Sequence, residues 1–110
     1  MSPRRWQECV QDIPDAIEEI QQFTDGMDRD AFRNDDRTIR AVEMNFIIIG
    51  EAASQIPEEV IERHADIPWQ LMRAMRNRLA HAYFQVDEIL MWDTIKNDLP
   101  PLVTGLERLI

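Results

Sequence analysis

The sequence has one cysteine, three glycines, one lysine and one tyrosine in 110 residues, and no apolar run longer than four. A single cysteine, Cys9, excludes an intrachain disulfide and any zinc site built on several thiolates. It reads as a buried free thiol, compatible with a reducing compartment. Runs as short as 46–49 exclude a membrane span, which needs about 20 apolar residues. The start, Met1-Ser2-Pro3-Arg4-Arg5-Trp6, is basic but leads into Gln7-Glu8 rather than an apolar core, so no secretory signal is expected and the expected location is the cytoplasm. Three glycines and almost no alternation of apolar and polar residues argue against a sheet. No repeat, low-complexity stretch or linker divides the chain, so one domain over residues 1–110 is expected. At this length roughly two-thirds of the unfolded surface is buried on folding, enough for a core without a disulfide or structural metal.

What is present is helical spacing and acid. Trp6, Val10, Ile13, Ile17, Ile20 and Phe23 recur at steps of three and four, which predicts a helix over 3–24. Ser2 would be its N-cap, and Pro14 falls inside it, which predicts a kink near that point because a proline ring disrupts a helix interior. Thr24-Asp25-Gly26 would end it, and a short turn over 28–33 would carry Phe32 inward. A second helix is predicted over 36–56, capped by Asp35 or Asp36, with Ile39, Val42, Phe46, Ile49, Ala53 and Ile56 as its stripe. Met44, Ile47 and Ile48 widen that stripe, which fits either a subunit interface or a central place in the chain's own bundle. Pro57-Glu58-Glu59 opens a short helix to about residue 64, and Asp66-Ile67-Pro68 opens another over 67–83. Asp87 begins the last segment, which Pro100-Pro101 should kink or break. The predicted fold is all-α, an antiparallel bundle of four main helices with short connecting ones.

The net charge is −9, from 12 basic and 21 acidic residues. Taken alone it argues against a nucleic-acid partner. It is, however, an average: residues 67–86 hold Arg73, Arg76 and Arg78 and no acid, so the other 90 residues carry −12. On a helical wheel Tyr83, Arg76, Arg73, Asn77 and His81 share an arc of about 160°, while Met72, Met75, Leu71, Leu79 and Ala82 lie elsewhere. An arginine fork can hold a phosphate and stabilise the added charge of a phosphorane. A histidine can take a proton from a ribose 2′-OH or give one to the leaving oxygen. RNA cleavage by that route needs no metal, because the 2′-OH is the nucleophile. One histidine serves one role at a time, and a symmetric dimer would supply both. On the wheel alone, Arg–carboxylate surface pairs with a capping histidine account for the same residues.

A lone Arg-x-x-x-x-His spacing carries no weight, but four blocks in order are specific. Arg76-Asn77-x-x-x-His81-x-Tyr83 resembles the Arg-x-x-x-x-His-x-Tyr motif of the HEPN ribonuclease superfamily, in the form of the HepT toxin family. Ile49-Gly50-Glu51-Ala52-Ala53, Ile67-Pro68-Trp69 followed by Met75-Arg76-Asn77, and Val86-Asp87 with Trp92 and Asp98-Leu99-Pro100 resemble three further blocks of that family, in order and across nearly the whole chain. The resemblance implies an all-helical, dimeric, metal-independent endoribonuclease without a cofactor, the toxin of a type VII toxin–antitoxin pair. Its catalytic pair would be Arg76 and His81, with Asn77 and Tyr83 in support. The partner it implies is an MNT/MntA-type nucleotidyltransferase antitoxin that adenylylates Tyr83, in an assembly that could exceed a dimer. A phosphate added beside Arg76 would occupy the place of the substrate phosphate.

Alternatives stand beside several of these residues. Asn77 also suits a helix-end cap, and Tyr83 a core position with a bonded hydroxyl. Arg73 and Arg78 are candidates for RNA phosphate contact or for surface pairing, and Glu51 for orienting a motif arginine or for packing. His64 reads as an exposed helix-end residue. No glutamate stands three residues before either histidine, against a di-metal site. Asp28, Asp30, Asp35 and Asp36 lack the glycine and closing glutamate of a calcium loop and read as caps. A different class of function fits the same pattern: a non-catalytic helical module that binds a nucleotidyltransferase or a nucleotide. A generic dimeric scaffold is weaker, because it has no use for Arg76, His81 and Tyr83 on one arc.

Overall fold

Three of the helices start at aspartates whose side chains accept from free first-turn amides. In the computed structural model, which describes residues 5–81 and 87–109 and only the backbone within 77–81, α1 spans Trp6–Phe23. It continues through Pro14 and ends where Thr24 turns its hydroxyl back to the Ile20 carbonyl at 2.8 Å. Gly26, at φ 76°, supplies the left-handed turn that follows. Asp28 accepts from the Ala31 amide at 2.8 Å and caps α2, Arg29–Arg33. Asp35 caps α3, Asp36–Ser54, by accepting from the Thr38 amide at 3.1 Å. Then come α4, Glu58–Arg63, and α5, Trp69–His81. Asp87 caps α6, Glu88–Asp93, by accepting from the amides of Ile89 and Leu90. A π turn over Thr94–Asp98 leads into α7, Leu99–Glu107.

No strand occurs among the described residues, and the fold is the expected all-α bundle. α3 lies at its centre, packed against α1 on one side and α5 on the other, with α7 against α1 and α6 against α2. Ile13, Ile17 and Ile20 of α1, Val42, Ile49 and Ala53 of α3, Met72 of α5, and Leu99 and Leu106 of α7 are fully buried, as is Phe32 from α2. Phe32 packs on Trp92 of α6 with ring centroids 5.4 Å apart, and Lys96 lies over the same indole at 4.6 Å. Cys9 is buried and free. Among the described residues no helix is long and apolar enough to cross a membrane.

Four expectations change. The helix described first begins at Trp6, with Arg5 at its N-cap position, and the Ser2 cap lies outside the described residues. Phe23 and Leu71, assigned to apolar arcs, are exposed. Two successive steps of three place Phe23 about 120° from Ile17, and Leu71 sits about 100° from Met72, so both have left the core-facing side. Pro100 and Pro101 do not break the last segment. Their rings and missing N–H groups fall in the first turn of α7, where little is lost, and the wide π turn just before them takes up the crowding. His64 is half-buried rather than exposed: it ends α4, and its carbonyl accepts from the Trp69 indole at 3.0 Å.

The Asp35 cap makes stability depend on pH in a defined direction. The Thr38 amide, then the Thr38 hydroxyl, hold the Asp35 carboxyl below the ordinary carboxylate range. A depressed folded-state pKa stabilises above the unfolded value, and the contribution is lost as pH falls through the folded one. Asp35→Ala is therefore expected to lower the melting temperature at neutral pH. The gap between wild type and variant should narrow in thermal scans taken at progressively more acid pH.

Candidate active site

The site is built on the crossing of α3 and α5. Pro68 and the buried Trp69 start α5, and the buried Met72 and Met75 hold it to the core. The two helices run antiparallel and meet closely at one glycine. A Cβ on Gly50 would run into the Cβ of Arg76 and come within 2.8 Å of the Met72 carbonyl and 2.9 Å of the Arg76 amide. Glycine is a poor helix-interior residue, and here the missing side chain is what lets the backbone of α5 approach at Arg76.

The residue after that glycine meets the arginine's other end. Glu51 Oε2 lies 2.9 Å from Arg76 Nε, with the glutamate side chain 54% and the arginine side chain 44% exposed. One turn earlier on α5, Arg73 Nε donates to the Ala53 carbonyl at 3.3 Å, and its terminal nitrogen pairs with Glu58 of α4 at 3.6 Å. Ala53 is in the last turn of α3, where carbonyls lack helical partners. Arg73 is mostly covered and ties three helices together. Arg76 stands out at the surface.

The wheel showed an arc free of carboxylate on α5, and that is true of α5 alone. Glu51 and Glu58 come from neighbouring helices and pair with Arg76 and Arg73. A single-helix wheel cannot register them. The available signal was the run Gly50-Glu51, a small residue for close approach followed by a charge. Asn77, Arg78 and His81 fall within α5, and their side chains lie outside the described residues, as does the whole of Tyr83. His81 is five residues beyond Arg76 on this helix, about 7.5 Å along the axis. Among the described residues no group of three or more histidines, cysteines or carboxylates could hold a metal ion.

A strip of apolar surface adjoins the Glu51–Arg76 pair. Met44 is 57% and Ile48 39% exposed, and both fall with Glu51 on one face of α3 at spacings of four and three.

Comparison with known families supplies the class of protein in which this site sits. A family profile described as "Ribonuclease HepT-like" matches residues 13–109. A protein named "Probable ribonuclease HepT" from Thermococcus cleftensis is 41% identical over 106 residues, covering 96% of each chain. "Putative RNase MJ0127" from Methanocaldococcus jannaschii is 33% identical over 99 residues, 90% of this chain and 82% of that one. No solved structure matches the chain. The chain belongs to the HepT-like ribonuclease family.

Proposed function

We propose that this ribonuclease cleaves RNA at α5 by attack of a ribose 2′-OH on the adjacent phosphodiester, with Arg76 and His81 as the catalytic pair. The observation that carries the reading is Arg76, held at the surface by Gly50 and Glu51 on the helix that also contains His81. Arg76 grips the phosphate and stabilises the negative charge that builds on it. His81 moves the proton, as base for the 2′-OH or acid for the leaving 5′-oxygen. Asn77 and Tyr83 support the pair. Arg78, and secondarily Arg73 beside its structural tie, extend the phosphate contact along the +3 segment. No metal takes part in this route.

In the same reading the active form is a homodimer in which two copies of α5 supply the two proton-transfer roles. Exposed Met44 and Ile48 beside the Glu51–Arg76 pair support it, since covering them would bring a second copy next to the site. The chain is the toxin of a type VII pair, working in the cytoplasm and silenced when a nucleotidyltransferase antitoxin adenylylates Tyr83. An adenylate phosphate there would compete for Arg76 and block the substrate.

The test is cleavage by the purified chain in the presence of EDTA. RNA should be cut and DNA of the same sequence left intact, since DNA lacks the nucleophile. Cleavage of both, or loss of RNA cleavage in EDTA, would contradict the mechanism. Binding of a nucleotidyltransferase with no cleavage of any RNA would favour a non-catalytic module. Incubation with the antitoxin and ATP should add one adenylate, and the Tyr83→Phe protein should gain none.

A further inference from the structure

We infer that Glu51 is a positioning residue for Arg76 and that Gly50 sets the helix spacing that lets it act. The inference rests on the proposal that Arg76 grips the substrate phosphate. Consecutive residues of α3 hold the arginine from both ends: Gly50 lies against its Cβ and amide, and Glu51 meets Nε at 2.9 Å. An arginine side chain has several torsions, and a contact at Nε fixes the last of them. The plane of the guanidinium fork is thereby set before substrate arrives.

Stability is a poor reason for the pair. Both side chains are about half exposed, and water screens such pairs strongly. Arg73, one turn away, shows what a structural arginine looks like in this fold: mostly covered and bonded to a helix-end carbonyl. Arg76 is held in orientation yet left accessible. A carboxylate beside a phosphate site also weakens attraction for RNA in the ground state. Glu51 therefore acts in opposite directions on binding and on turnover, helping only the step in which the fork must match the developing charge.

The test compares Glu51→Ala and Glu51→Gln with wild type and with Arg76→Ala, measuring kcat and KM on RNA, Kd for a non-cleavable 2′-O-methyl RNA, and melting temperature. Glu51→Ala should lower kcat roughly 10- to 100-fold, with Kd unchanged or tighter and the melting temperature unchanged. Glu51→Gln, which keeps an acceptor but not the charge, should recover part of the loss. Full kcat in Glu51→Ala while Arg76→Ala is inactive would overturn the positioning role and leave the catalytic assignment standing. A parallel fall of kcat and melting temperature in both Glu51 variants would also overturn it. Full activity in Arg76→Ala would instead remove the assignment on which the inference rests.

Discussion

Arg76→Ala is expected to cost about 10²- to 10³-fold in kcat, and His81→Ala about 10²- to 10⁴-fold, with the fold intact in each case. The arginine figure is the usual effect of removing one preorganised donor from a developing negative charge. The histidine figure is that of removing a positioned proton carrier. Arg76 is half exposed and its ion pair with Glu51 is a surface one, so its removal should change stability by no more than about 1 kcal/mol. Loss of activity with an unchanged melting curve would therefore be a chemical effect. Arg76→Lys should also be strongly impaired, because an ammonium is a point charge and cannot replace a planar fork. Single-turnover cleavage of a labelled RNA measures all three variants: a near-wild-type rate in either alanine variant would remove that residue from the mechanism, and one in Arg76→Lys would show that a charge suffices without the fork.

Gly50→Ala should be the most damaging single-methyl change at the site. In an open helix this substitution would gain about 1 kcal/mol. Here the added methyl meets the Arg76 Cβ, the Met72 carbonyl and the Arg76 amide. These atoms belong to or adjoin the backbone of α5 and cannot rotate away, so α3 and α5 must separate. Forcing an extra methyl into such packing costs on the order of 1–3 kcal/mol. Contact with a Cβ and backbone atoms puts the cost at the upper end of that range, and net of the helix gain of about 1 kcal/mol the loss is about 2 kcal/mol, a fall of roughly 10 °C in Tm for a domain of this size. Separation of the helices also moves Arg76 relative to Glu51, so the fully folded variant, assayed well below its Tm, should still cut RNA more slowly than wild type. An unchanged Tm would show that the crossing can loosen at no cost.

The helices were legible in the sequence wherever a cap and a stripe agreed. Asp35 with Ile39, Val42, Phe46, Ile49 and Ala53 defines α3 within two residues of the observed end, and Asp28 with Phe32 defines α2. The stripe failed where it drifted off the helical period, at Phe23 and Leu71. Pro100-Pro101 reads as a kink or a break, and that the chain stays helical there is not legible, because a π turn has no period of its own to recognise. At the site, Arg76 was legible from the α5 pattern and the family motif. Its carboxylate partner was legible only as one of two alternatives for Glu51, orienting a motif arginine or packing, because pairing between helices depends on the crossing point, which Gly50 fixes only once both helices are placed together.

The central claim is that the substrate's own 2′-OH breaks the phosphodiester, and the ends of the cleaved RNA test it most directly. Mass spectrometry of the products formed in EDTA should find a 2′,3′-cyclic phosphate on the upstream fragment and a 5′-hydroxyl on the downstream one. A 3′-hydroxyl paired with a 5′-phosphate would mean that water, not the ribose, was the nucleophile, and would contradict the account.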